Sequence, residues 1–152
     1  MRDEASVELV PAPLLRRVAA FVIDWLVLFV IELGFAALLT FEASERDLVA
    51  MSLVVSASYH IVSLAVKSGT PGKTAMGLSV TDLQGQALRP DAAILRYLIW
   101  LVSFVAFIGV AISFVMIFTD RTRRRALHDR IAGTMVIVGR PRQVDRLNRY
   151  SR

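Results

Sequence analysis

VAAFVIDWLVLFVIELGFAALL, from Val18 to Leu39, is the stretch that decides the fold. As an α-helix it would be roughly 33 Å long, which is enough to cross the hydrocarbon core of a bilayer. Arg17 stands just before it, and Asp24 lies near its middle. The stretch therefore predicts a transmembrane helix that carries an ionisable group where such a group is costly.

Three ionisable residues share one side of this predicted helix. Arg17 and Asp24 are seven residues apart and fall on nearly the same face, and Glu32 lies within a quarter turn of them. Arg17 is the expected counter-charge of Asp24. Because an ionised side chain near the hydrocarbon centre costs a few kcal/mol, these residues are expected to face a partner helix, a counter-charge or water.

Two further apolar runs, 48–66 and 92–119, follow the first run at 18–39. Hydrophobic residues make up 55% of the chain and are gathered in blocks, which disfavours a water-soluble core. We predict an all-α membrane protein with two transmembrane helices, a C-terminal helical hairpin or third span, and a small cytoplasmic β element. The predicted divisions are an N-terminal tail (1–12), a membrane domain (13–138) and a basic C-terminal tail (139–152).

The distribution of charge predicts the orientation. Arginines precede the first run, whereas the loop 41–47 is mainly acidic, so the N-terminus is expected in the cytoplasm. The arginines after the third run should also be cytoplasmic, which a single crossing would not allow. We therefore favour two shorter helices bent near Ile108 and Gly109, and the alternative is one long span with an external C-terminus.

The cytoplasmic β element is predicted from two short segments. Residues 77–82 alternate side chains as a strand does, and 134–138 is rich in β-branched residues. Neither segment is long enough to be stable alone, so the two are expected to pair against the membrane face.

Several kinds of chemistry are not expected. The chain has no cysteine, and its two histidines, His60 and His128, are not at metal-ligand spacing, so no metal site is predicted. The segment 68–74 resembles a phosphate-binding loop but lacks its first glycine, so it is interpreted as a structural turn. We predict no catalytic residues, no enzyme activity, no cofactor and no nucleic-acid partner.

Four ordered motifs between Pro13 and Val138 resemble the RDD family of small bacterial membrane proteins. The first contains Arg17 and Asp24, and the other three lie in the central loop, at the start of the last helical region and near the C-terminus. The resemblance implies a multi-pass protein of the bacterial inner membrane. Its motif residues outside the first helix are Gly69, Pro71, Gly72, Lys73, Gly77, Asp82, Arg96, His128, Asp129, Gly133 and Thr134.

Some members of that family are associated with sodium/proton exchange, so one hypothesis is cation and proton transport. Asp24 would alternate between a proton and Na⁺, with Arg17 setting its charge state and Glu32 nearby. His60 and Tyr59 could relay the proton. One chain offers few oxygen ligands, so the path would lie between the protomers of a homo-oligomer.

Architectural roles explain some of the same residues. Arg17 and Asp24 could form a structural ion pair, with Asp129 tying the tail to an arginine beneath the membrane. In a second hypothesis, the protein is an accessory or assembly subunit of a larger membrane complex, with small residues suited to close helix contact. A basic cluster is expected to anchor the chain at the cytoplasmic surface and to contact lipid headgroups; its members are Arg121, Arg123, Arg124 and Arg125.

Overall fold

Two long apolar helices begin the fold. The computed structural model describes residues 9–38, 44–106, 108–120 and 122–141. Helix α1 spans Leu14–Leu38 and α2 spans Glu45–Lys67. Both are long and apolar enough to cross a membrane, which agrees with the prediction of two transmembrane helices. Each begins three or four residues before the apolar run that predicted it.

The early start of α2 has a local cause. Ser44 caps the helix: its side chain accepts a hydrogen bond from the Asp47 backbone N–H, and the Asp47 side chain accepts one from the Ser44 backbone. This reciprocal capping box satisfies N–H groups that the first turn leaves free. The helix ends at Lys67, and Ser68 adopts a left-handed conformation that turns the chain.

The third apolar run forms two shorter helices, as predicted. Helix α4 spans Pro90–Val105 and α5 spans Ile108–Thr119, and their axes differ in direction by 115°. The two helices approach closely at Gly109, where an added Cβ would lie 2.6 Å from the Cα of Ser103. Both of these small residues are buried.

A polar layer covers one end of the helices. It contains helix α3 (Pro71–Ala75), strand β1 (Leu78–Asp82), helix α6 (Leu127–Ile131) and strand β2 (Thr134–Val138). The strands pair antiparallel with Val80 opposite Val136, which confirms the predicted pairing. Pro11 forms a β-bridge to Ile137 and so adds the N-terminal segment to the sheet. We use the term polar layer for residues 9–12, 68–89 and 126–139.

Both ends of the α4–α5 pair are attached to this layer. Arg96, near the start of α4, binds the carboxylate of Asp129 on α6. Asp120, just after α5, pairs with Arg130 at 3.4 Å. Helices α4 and α5 therefore leave the polar layer and return to it, which agrees with the hairpin that the sequence favours.

Some predictions fall wholly or partly outside the described residues. The acidic loop 41–47 is described only from Ser44, and Arg121 is not described. Of the predicted tails, only 9–12 and 139–141 are described.

Candidate functional site

Asp24 is buried on α1 directly beneath the polar layer, with only 4% of its surface exposed. One carboxylate oxygen accepts hydrogen bonds from the Tyr59 hydroxyl at 2.7 Å and the Gly72 backbone N–H at 2.8 Å. The other oxygen accepts from the Thr70 hydroxyl at 2.5 Å and lies 3.8 Å from the Lys73 ammonium. Asp24 thus connects α1, α2 and the segment that leads into α3.

Helix α3 begins at this carboxylate. Pro71 occupies its first turn. The N-cap residue, Thr70, donates its hydroxyl hydrogen bond to Asp24 and does not cap its own helix. Asp24 replaces the N-cap side chain as acceptor, because it accepts a hydrogen bond from the Gly72 backbone N–H. Its negative charge is also favourable at the N-terminus of a helix. Residue 72 must be glycine here, because an added Cβ would lie 2.8 Å from the Asp24 carboxyl carbon.

The predicted pairing of Arg17 with Asp24 is wrong. Lys73 is the ion-pair partner of Asp24 among the described residues, whereas Arg17 binds Asp129 at 3.3 Å. Helical periodicity puts Arg17 and Asp24 on one face, but they are about two turns apart, roughly 10 Å along the axis. The partner of each side chain is therefore set by the residues that pack against α1 at that position along its axis.

Lys73 has an unusual environment for an amine. Burial lowers the pKa of its ammonium group to about 8, and the nearby positive charge of Arg96 acts in the same direction. The carboxylates of Asp24 and Asp129 raise that pKa but do not restore its ordinary value. Lys73 therefore loses its proton more readily than an exposed lysine does.

A second cluster surrounds Asp129, which is fully buried. Arg17 and Arg96 both bind its carboxylate, and the Ala126 N–H donates to it at 3.1 Å. Arg17 also donates to the backbone carbonyls of Ala12 and Val136. The cluster thus joins the start of α1 to α4, α6 and the sheet.

Charge in the second cluster is set by the arginines. Burial alone would raise the pKa of the Asp129 carboxyl, but the positive charges around it, Arg96 foremost, outweigh burial and hold that pKa well below its usual range. Burial lowers the pKa of His128 to about 3, although Asp129 opposes this shift. His128 is therefore neutral at pH 7, and its 3.7 Å approach to Asp129 is not an ion pair under that condition.

The two remaining transport candidates do not touch the carboxylate of Asp24. His60 contacts the backbone carbonyl of Ser56 through Nδ1 and stacks on the ring of Trp100, with centroids 5.1 Å apart. Glu32 lies two turns beyond Asp24 on α1 and lines a cavity between the helices. The predicted stripe of Arg17, Asp24 and Glu32 is therefore divided among three separate environments.

Most other motif residues shape the polar layer. Thr134 receives a hydrogen bond from Arg96 at 2.7 Å, and Asp82 accepts the backbone N–H groups of Gln84 and Gln86. Gly69 is buried, and Gly77 and Gly133 immediately precede the two strands. In the basic cluster, Arg123 and Arg124 are exposed, whereas Arg125 lies 3.6 Å from Asp120.

Thr70 is a site residue that sequence reasoning missed. It is fully buried and makes the shortest of the contacts to Asp24. A signal existed, because threonine directly before proline at a helix start is a frequent N-cap pattern. The pattern does not indicate that the hydroxyl serves a carboxylate on another helix.

Fold and site together define a small helical membrane protein with two spanning helices, a bent helix pair and a polar layer that closes one end. The model of the RDD family matches residues 11–133, and the chain belongs to this family. Comparisons with curated proteins and with solved structures gave no match. Among the described residues, no group of three or more His, Cys, Asp or Glu side chains could hold a metal ion.

Proposed function

We propose that this protein exchanges a monovalent cation, with Na⁺ as the candidate, for a proton at the Asp24–Lys73 pair. One observation carries the proposal: the buried carboxylate of Asp24 has, within the described residues, a single ion-pair partner, and that partner is an amine with a lowered pKa. At 3.8 Å the ion pair is loose, so its ammonium group can be replaced.

The proposed exchange conserves charge. Loss of a proton from Lys73 leaves the carboxylate without a counter-charge in a buried site, which is unfavourable. One Na⁺ that enters beside Asp24 restores neutrality, and reprotonation of Lys73 expels it. The site therefore carries the same total charge before and after each half of the cycle, with one proton moved for each Na⁺.

Oxygen ligands for Na⁺ are present but few. The carboxylate of Asp24 is a hard ligand, and the hydroxyls of Thr70 and Tyr59 already point at it. Each hydroxyl oxygen has lone pairs that can bind a cation. Water or a second protomer would supply the remaining ligands, and the proposal therefore includes a homo-oligomer.

The proposal places the polar layer on the cytoplasmic side of the bacterial inner membrane. Exposed cations are concentrated on and beside this layer, whereas the described acidic residues Glu45 and Asp47 lie at the opposite end of α2. Short loops rich in arginine and lysine remain on the cytoplasmic side of a membrane. Among the described residues, the exposed cations at this end are Arg16, Lys67, Arg89, Arg123, Arg124, Arg130 and Arg140, and Arg46 is the exposed cation at the opposite end.

A proteoliposome assay tests the exchange. The full chain is reconstituted with a pH-sensitive dye inside, and an inward Na⁺ gradient should alkalinise the lumen. Asp24→Asn should abolish the response, and Lys73→Arg should abolish it as well, because arginine keeps its proton. Asp91→Asn is the matched control, since Asp91 is exposed and pairs only with Arg89 in the described structure. A wild-type response equal to that of empty vesicles would rule the proposal out.

An accessory or assembly subunit is the second candidate. The observation that favours it is the saturation of Asp24, whose two oxygens already accept three hydrogen bonds and face the Lys73 ammonium, as expected of a structural clamp. Large apolar side chains on α1, including Phe21, Trp25 and Phe29, are also exposed and available for lipid or a partner helix. Recovery of a stoichiometric heteromeric partner in mild detergent, with no Na⁺-dependent proton movement, would favour this function.

A further inference from the structure

Glu32 is a second acidic residue on α1. Among the described residues, none donates a hydrogen bond to it or pairs with its charge. It lies in the apolar half of α1, well beyond the polar layer that binds Asp24. An ionisable group at such a depth is costly unless a cation or water meets it.

Glu32 lines a cavity of about 350 Å³ between α1, α2 and α4, which we call the Glu32 cavity. Its other polar lining residues are Ser52, Ser56 and Tyr97, and the ring of Trp100 forms part of the wall. A neighbouring cavity of about 250 Å³ shares Glu32 and Ser52. Spaces of roughly 300 Å³ and above accommodate small molecules.

Tyr97 supplies an independent observation. Only 5% of this residue is exposed, and its hydroxyl has no hydrogen-bond partner within the part of the chain that the structure describes. A buried hydroxyl without a partner costs about 1 to 3 kcal/mol, so such groups normally meet a ligand or water. Within the described part of the chain, Tyr97 and Glu32 are thus two residues with unsatisfied polar groups that line the same cavity.

The aromatic wall indicates the chemical class of the ligand. Trp100 stacks on Phe104 with centroids 5.4 Å apart, and Tyr97 stacks on Trp100 at 6.0 Å. Faces of such rings attract cations, and the attraction is stronger where water is excluded. A carboxylate beside aromatic rings, in a space larger than one metal ion needs, suits a cation with an apolar body.

We propose that the Glu32 cavity binds a protonated alkylamine or a similar organic cation. The cationic head pairs with Glu32, the Tyr97 hydroxyl and the serines offer hydrogen bonds, and the apolar body lies against Trp100. This site is separate from the Asp24–Lys73 pair, and the proposal does not depend on cation exchange there.

Tryptophan fluorescence tests the proposal directly. The chain has two tryptophans, and Trp25→Phe leaves Trp100 as the single reporter in the full-length protein. N-hexylpyridinium is a suitable probe, because it is a quenching cation with an apolar chain. We expect saturable quenching of Trp100, displacement by hexylammonium, and no displacement by hexanol at the same concentration.

Variants separate charge recognition from partition into lipid or detergent. Glu32→Gln should weaken probe binding roughly tenfold or more, and Tyr97→Phe should weaken hexylammonium binding by a smaller factor. Glu45→Gln, at an exposed acid near the start of α2, is the matched control and should bind as the parent does. Quenching that does not saturate, equal affinity in Glu32→Gln, or equal displacement by hexanol would overturn the proposal.

Discussion

The guanidinium of Arg17 lies 3.3 Å from the carboxylate of Asp129, although 112 residues separate them in the chain. Arg96 binds the same carboxylate from α4. Because Asp129 is fully buried, its charge has no water to stabilise it and depends on these two arginines. One carboxylate thus connects α1, α4 and α6.

The first prediction concerns this cluster. Asp129→Asn should lower the free energy of unfolding by about 3 to 5 kcal/mol, because it leaves two buried guanidinium groups without their counter-charge. Thermal unfolding of the purified protein in detergent measures the loss. Asp91→Asn should change stability by less than about 1 kcal/mol, since its pair with Arg89 is exposed. Equal effects of the two substitutions would contradict a structural role of the buried cluster.

The second prediction concerns the close approach of α3 to α1. Gly72→Ala should destabilise the protein by at least about 2 kcal/mol, because its Cβ would meet Asp24 and force α3 away from α1. Gly34→Ala on α1 is the control, since no atom of the described residues lies within 4 Å of its Cβ position, and it should be neutral or mildly stabilising. The unfolding midpoints of both variants in the same detergent decide the matter.

The third prediction concerns topology. The chain lacks cysteine, so single substitutions can be labelled with a membrane-impermeant maleimide. Gln84→Cys, Arg123→Cys and Arg140→Cys should react from one side of the membrane, and Glu45→Cys should react from the other. All four positions are exposed in the structure. Labelling of Gln84→Cys and Arg123→Cys from opposite sides would contradict the return of α4 and α5 to the polar layer.

The fourth prediction follows from the pKa of Lys73. In the unfolded chain this amine has a pKa near its ordinary value of 10.5, whereas in the fold burial lowers the pKa to about 8. Between these values the unfolded state binds more protons, so stability should rise with pH, by on the order of 2 kcal/mol from this group. Lys73→Arg should flatten the rise between pH 8 and pH 10, because arginine stays protonated in both states. Parallel stability curves for the two proteins would contradict the lowered pKa.

Local sequence signals predicted the elements well and their partners less well. Apolar blocks located α1 and α2, and the position of Gly109 indicated the break between α4 and α5. The short β-branched segments predicted β1 and β2 and their pairing. Each of these inferences needs only the composition of a few consecutive residues and the cost of placing backbone polar groups in lipid.

Pairings of charged residues could not be obtained in the same way. Helical periodicity associated Arg17 with Asp24, yet Lys73 reaches Asp24 because Pro71 and Gly72 start α3 against α1. The Thr70 hydroxyl and the Gly72 N–H complete the site from the same segment. Thr70 and Gly72 follow Asp24 by 46 and 48 positions in the sequence, and no local pattern encodes a contact over that separation.

By itself, the sequence determined that this chain is a helical membrane protein of the RDD family. It also showed that charged residues lie within and next to the membrane-spanning helices, where burying a charge costs free energy. Lipid imposes that result, because long apolar blocks must form helices to satisfy their own backbone. Tertiary structure alone decided that Asp24 meets Lys73, that Asp129 meets Arg17 and Arg96, and that Glu32 lines a cavity with no ion-pair partner among the described residues. Side-chain partners depend on how helices and loops pack, and that packing is a property of the whole fold.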